Sequence, residues 1–204
     1  MGYATYFFEL AGLDPGNAFD MGVGFLAVGF IGTLFSWLLL LRFGRRHIYN
    51  TGLSLLIVLL VIIAIIDCAP GYLQHPAYSW TQASLLLVWN FCYDFSVGPV
   101  CFVILCEVSA TRVRSKTIAI ATAGQAVLGI VMTVAIPYLV NPDEANARGK
   151  IDFFFGGLGA IGLAWSYFRV PETRGRTYEE LDLMFAKGLK TTDFKRHVVD
   201  SQLD

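Results

Sequence analysis

Five stretches of this chain have the length and apolarity of helices that cross a lipid bilayer: Phe19–Leu41, Ile48–Asp67, Ala83–Cys106, Thr117–Val140 and Phe153–Phe168. A spanning helix needs about 20 mostly apolar residues, because hydrocarbon offers its backbone no other hydrogen-bonding partner. The last stretch is short and extends naturally from Ile151 to Val170. Buried parallel strands are also continuous apolar runs, but far shorter ones. Leu53–Ile66 is apolar at every position but Ser54. Charged residues make up only 15% of the chain, against about a quarter in soluble domains. The expectation is an all-α polytopic membrane protein. Residues Tyr3–Leu13 look like the end of one more span, too short to cross alone, and no secretory leader pattern precedes them.

Charge gives the expected orientation. Basic residues favour the cytoplasmic side of spanning helices. Of the fifteen Lys and Arg, three lie in Arg42–His47, three in Glu107–Lys116 and seven in the tail from Arg169. Alternating spans place all three segments on one side, leaving only Arg148 and Lys150 on the other. That side is expected to be cytoplasmic, with the C-terminus on it. Residues 1–18 then form a partial helix and outer loop, 19–170 the bundle, and 171–204 a cytoplasmic tail. Within the tail Thr177 is a plausible N-cap, with Glu179, Glu180 and Asp182 in the first turns after it. Leu181, Met184 and Phe185 share one face, as in a short amphipathic helix, and 191–204 is expected to lack order.

Several function classes drop out. A net charge of −1 makes no nucleic-acid surface. His47, His75 and His197 are scattered over loops and tail and form no metal or nucleophile constellation. Three of the four cysteines sit in one apolar block, as small hydrophobes do. Neither an enzyme nor a cofactor is expected.

The acidic residues at the basic end need a reason. Glu107 and Glu172 stand at a membrane edge, where a carboxylate is costly unless paired. Arg45, Arg46, Arg112 and Arg114 are the candidate partners. Such pairs would latch helix ends, and a latch that differs between two conformations suits a transporter.

The same segments carry a family resemblance. Pro171-Glu172-Thr173-Arg174-Gly175-Arg176-Thr177, followed by Tyr178-Glu179-Glu180-Leu181, is similar to the signature that ends the twelfth helix of the sugar porters. Phe43-Gly44-Arg45-Arg46 resembles their motif between helices eight and nine. Gly98-Pro99-Val100 with Glu107, Arg112, Arg114 and Lys116 resembles helix ten and the loop after it. The chain therefore resembles the C-terminal half of a sugar porter of the major facilitator superfamily, most like the fungal hexose and maltose permeases. The resemblance implies a partial helix seven followed by helices eight to twelve, with the N-terminal half missing. It implies alternating-access transport of a mono- or disaccharide, coupled to protons, in a plasma membrane. A sugar sensor on the same fold and an inactive half-transporter are the other readings. Departures fall at Leu41, Ser109-Ala110, Phe102 and Ala126, where relatives carry Asp, Phe-Pro, Trp and Trp.

A sugar site needs amide or carboxylate partners for hydroxyls and an aromatic or small residue against the ring. Gln125, mid-span, is the leading candidate, with an interhelical hydrogen bond as its other reading. Gly98 and Phe102, one turn apart, offer a gap and a wall, or simply helix packing and a kink. Asn90 and Asp94 share a face, and Asp94 is an ionisable group deep in a span, for coupling, gating or structure. Tyr3 and Tyr6 lie near the outer-gate tyrosines the resemblance implies. Gly22, Gly24, Gly29 and Gly32 line the first full span and favour close helix approach.

Overall fold

A computed structural model describes residues 5, 14–68, 76–140, 150–186 and 194. Tyr3 and Tyr6 lie outside them. Helices α1 (Pro15–Arg42), α2 (Arg45–Asp67), α5 (Arg114–Val140) and α6 (Lys150–Arg169) are continuous. The remaining long helix has three parts: α3 (Pro76–Cys92), a π-helical turn at Tyr93–Val97, and α4 (Gly98–Val108). A short helix α7 (Tyr178–Ala186) closes the described chain. Five helices are long and apolar enough to cross a membrane, matching the five apolar blocks.

The boundaries move where helix-end chemistry overrides apolarity. The third span starts at Pro76 rather than Ala83, so Tyr78, Trp80 and Thr81 are helical instead of outer loop. Proline is tolerated in a first turn because that turn's N–H groups have no intrahelical acceptor. The π-helical turn has a similar origin. Pro99 has no N–H to offer the preceding turn, and the Gly98 N–H bonds Tyr93 O, five residues back. One extra residue is thus accommodated without breaking the span.

Packing follows small residues, as it must where lipid removes the hydrophobic drive between helices. On α1, a Cβ built at Gly32 would lie 3.1 Å from the Phe91 carbonyl oxygen and 3.3 Å from the Phe95 nitrogen. On α2, a Cβ at Gly52 would collide with the Ser96 side chain. The third span therefore wedges between α1 and α2, which touch each other little. Helix α6 packs along α2, where Gly159 meets Ile57 and the Ser166 hydroxyl donates to Asn50 Oδ1 at 2.6 Å. Helix α5 touches mainly α4, and no residue of its apolar window is buried. Of the glycines on α1, Gly29 and Gly32 serve packing, whereas Gly24 faces open space.

Helix α7 begins with a reciprocal capping box. The Glu180 N–H donates to Thr177 Oγ1 at 3.3 Å and the Thr177 N–H to Glu180 Oε2 at 3.2 Å. Of the stretch 191–204, expected to lack order, Phe194 is the residue described. That ring is fully buried with Leu181 and Met184 and stands edge-on to Phe185 at 5.0 Å. The apolar face of α7 takes this aromatic cover from the chain itself.

Candidate functional site

Two groups of side chains merit a functional reading, one mid-bundle and one at the basic end. The mid-bundle group gathers around the π-helical turn. Asn90 is buried, and its amide Nδ2 donates to the Phe25 carbonyl of α1 at 2.9 Å. Asp94 stands one turn further along, against the same helix. A Cβ at Gly29 would sit 2.5 Å from Asp94 Oδ2 and 3.0 Å from Asn90 Nδ2. Gly29 is thus what lets both polar side chains lie on α1. Asp94 has no cationic partner among the described residues. Gly98 is buried, and a Cβ there would meet the Tyr93 ring at 3.3 Å and Asp94 Oδ1 at 3.6 Å. Phe102, a turn beyond, is 48% exposed and stands clear of this packing.

Gln125 is on a different surface. It is exposed on α5 and makes no hydrogen bond among the described residues. The structure therefore brings Asn90, Asp94 and Gly98 together, places Phe102 beside them, and leaves Gln125 on the face of a neighbouring helix. Tyr3 and Tyr6 are not described.

At the basic end, two residues separate the end of α1 from the start of α2, and the segment 171–177 straps across that turn. Glu107, in the last turn of α4, pairs through Oε1 with Arg45 Nη2 at 3.2 Å and accepts the Thr173 hydroxyl on Oε2. The Arg45 and Glu107 side chains are 21% and 18% exposed, so water screens the pair only in part. Among the described residues Glu172 pairs with no guanidinium. Its Oε1 accepts the Arg45 backbone N–H at 3.0 Å and the Arg174 N–H at 3.2 Å. The first amides of a helix have no intrahelical acceptor and carry its positive dipole end, so a carboxylate is stabilised there. Gly44, the residue before α2, has no side chain to do this, and a Cβ there would overlap the Glu172 carboxylate.

The arginines use the opposite helix ends. Arg174 donates to the carbonyls of Arg42 at 2.6 Å and Leu41 at 3.2 Å, where α1 ends. Arg46 donates to the Tyr167 carbonyl at 2.5 Å in the last turn of α6, with its guanidinium 5.5 Å from the Tyr167 ring centroid. Cations are favoured at these carbonyl-rich ends. Arg114 lies 4.0 Å over the Tyr178 ring, joining α5 to α7, and its Nε and Nη2 are buried without partners. Arg112 is exposed and joins none of these contacts among the described residues.

Of the expected pairings, the described residues show Glu107 with Arg45; the other contacts at this end are side chain-to-helix-end bonds. Thr173, Tyr167 and Gly44 were not among the sequence candidates. Thr173 and Gly44 lie inside the motifs themselves, and that is the signal they offered. Gly175, with φ of +75°, is where the strap needs a residue that tolerates left-handed backbone.

The profile of the family described as "Sugar (and other) transporter" matches residues 1–185. The chain is 34% identical over 200 residues to the general alpha-glucoside permease of Saccharomyces cerevisiae, covering 98% of this chain and 32% of that protein. A maltose permease of the same yeast matches with 34% identity over 200 residues, at 98% and 32% coverage. The chain spans about a third of the length of the curated relatives it matches. Among solved structures, the inward-open xylose transporter XylE from E. coli superposes with a TM-score of 0.68 at 21% identity, covering 89% of this chain and 40% of that one. A double-tryptophan XylE mutant superposes at 0.76 with 23% identity and coverage of 89% and 38%. These two likenesses establish the fold, that of a multi-pass helical membrane protein. From its family profile and its permease relatives, this chain belongs to the sugar (and other) transporter family.

Proposed function

We propose that this bundle forms one wall of an alternating-access pathway for a mono- or disaccharide, with α-glucosides the leading class. The observation that carries this reading is the similarity, over 98% of the chain, to yeast permeases named for α-glucosides and maltose. The geometry supports it. Phe102 presents an exposed aromatic face beside Gly98, and Gln125 holds its amide open on α5, as a sugar ring and its hydroxyls require. The opposite wall is a second helical bundle, and the unburied face of α5 supports its packing there. The basic end is cytoplasmic, the membrane is the plasma membrane, and the helix-end bonds around Arg45, Glu107, Glu172 and Arg174 form in one conformation and break in the other.

Asp94 is the proposed coupling group for protons. It is an ionisable side chain inside a span, without a cationic partner among the described residues, and it stands in the π-helical turn four residues before Gly98. The test is uptake of labelled maltose by the transporter containing this bundle, in vesicles from a host lacking sugar carriers. Sugar accumulation driven by an inward proton gradient, abolished in Gln125→Ala, is the expected result. Asp94→Asn is expected to retain sugar exchange but lose gradient-driven accumulation. No saturable uptake of maltose, glucose or xylose would sink the transport reading.

A further inference from the structure

The wedge that the third span drives between α1 and α2 has a consequence on the outer surface of the bundle. Beyond the short turn that joins them, α1 and α2 diverge over the π-helical turn and leave a crevice of about 310 Å³. Its walls are Leu39 on α1, Phe43 in the turn after it, and His47, Thr51 and Leu55 on α2, with Phe95 in the floor. Phe43 and Leu55 are themselves exposed, as are Leu38 and Leu41 on α1 and Val58 on α2. The crevice is therefore a recess in an apolar helix surface, and it lies within two spans. At about 30 Å³ each, some ten waters would be needed to fill it. The recess is lined mostly by apolar side chains, with His47, Thr51 and Ser96 the polar exceptions, so those waters would find few hydrogen bonds, whereas an acyl chain would meet mostly apolar contacts.

The rim adds a charge. Arg42 closes α1 one residue before Phe43, is exposed, and makes no side-chain hydrogen bond or ion pair among the described residues. Its backbone carbonyl is taken by Arg174, but its guanidinium is not used by the strap. His47 lines the crevice from the first turn of α2. An acyl chain entering between α1 and α2 from the basic end would bring its headgroup to these two side chains. We infer that the crevice between α1 and α2 is a binding site for one acyl chain of an anionic membrane phospholipid, with its headgroup held at Arg42 and His47. The occupant would stiffen the divergent helices beside the π-helical turn. The site does not depend on the sugar reading and does not use its residues.

The test uses two photoactivatable phospholipids with the same diazirine-bearing acyl chain, one phosphatidylserine and one phosphatidylcholine. Each is added as a minor component to phosphatidylcholine vesicles containing the protein. The adducts are then mapped by mass spectrometry. Adducts are expected to concentrate on Leu39, Phe43, Thr51 and Leu55, above the level at exposed positions such as Leu26 on α1. The phosphatidylserine probe should label the crevice roughly fivefold more than the phosphatidylcholine probe, the effect of one basic residue near an anionic surface. Arg42→Gln should remove that preference. Thr51→Trp and Leu55→Trp, both substitutions on the exposed wall, should each abolish crevice labelling while leaving helicity and thermal unfolding unchanged. Labelling spread evenly over the exposed helix faces would overturn the proposal. So would labelling that both tryptophan variants leave intact, or equal labelling by the two probes.

Discussion

Asn90 shows how much one buried amide contributes in a bundle where lipid gives helices little reason to associate. Its bond to the Phe25 carbonyl ties the third span to α1, and Asn90→Ala is expected to destabilise the bundle by about 1–2 kcal/mol. Denaturation in mixed micelles, followed by circular dichroism, measures this. Glycines on the same helix separate by what they face. Gly29→Ala drives a methyl into Asp94 and Asn90 and should cost about 1–3 kcal/mol. Gly24→Ala meets nothing within 4 Å and should be neutral or gain up to about 1 kcal/mol from helix propensity. Equal effects for the two would refute this account of the packing. The sequence marked both glycines alike, because spacing locates a small-residue stripe but not its partner. Glu172 was misjudged for a related reason. Its acceptor role was legible from its place at a membrane edge, but its donor is a backbone amide, and no residue type advertises that.

At the scale of elements, the five spans were readable because hydrocarbon demands length and apolarity of any helix that crosses it. Their ends were less so, since capping depends on groups far away in the chain. The π-helical turn at Tyr93–Val97 was announced only as a break at Gly98-Pro99. Apolar blocks report that a segment is buried in lipid and are blind to whether its bonds run four residues back or five. Proline is the proposed cause of the turn, and that is testable. Pro99→Ala restores an N–H and should let the span relax towards α-helix. Amide hydrogen exchange across Tyr93–Gly98 is then expected to slow at least tenfold, the effect of about 1.4 kcal/mol of added local stability. Unchanged exchange would mean that packing against Gly32 and Gly52 holds the turn by itself.

For the whole molecule, the telling contrast is between α6, packed along α2, and α5, which is bound only at its edge. If a second bundle covers α5, its exposed glycines serve that partner and not this chain. Gly129→Leu should leave the stability of this bundle unchanged within about 0.5 kcal/mol but abolish sugar uptake by the assembled transporter. Loss of bundle stability would show that α5 is held more firmly than its contacts suggest. The overall architecture was the most legible level of all, because five apolar blocks of spanning length constrain a helical bundle before any side chain is placed. The site was legible only in part. Gln125 and Asn90 are the same kind of polar residue inside an apolar block, yet one amide is consumed by α1 and the other stands open.

The strap from Glu172 to Arg174 also sets a timetable. Its contacts reach back to Leu41, Arg42 and Arg45, more than 120 residues earlier in the chain. While the ribosome is still making this protein, the hinge between the first two full spans has no carboxylate on its amide and no guanidinium on its carbonyls. Those groups arrive only after the last span has entered the membrane. A chain stopped short of Glu172 would carry all five of these spans and still display an unclamped hinge.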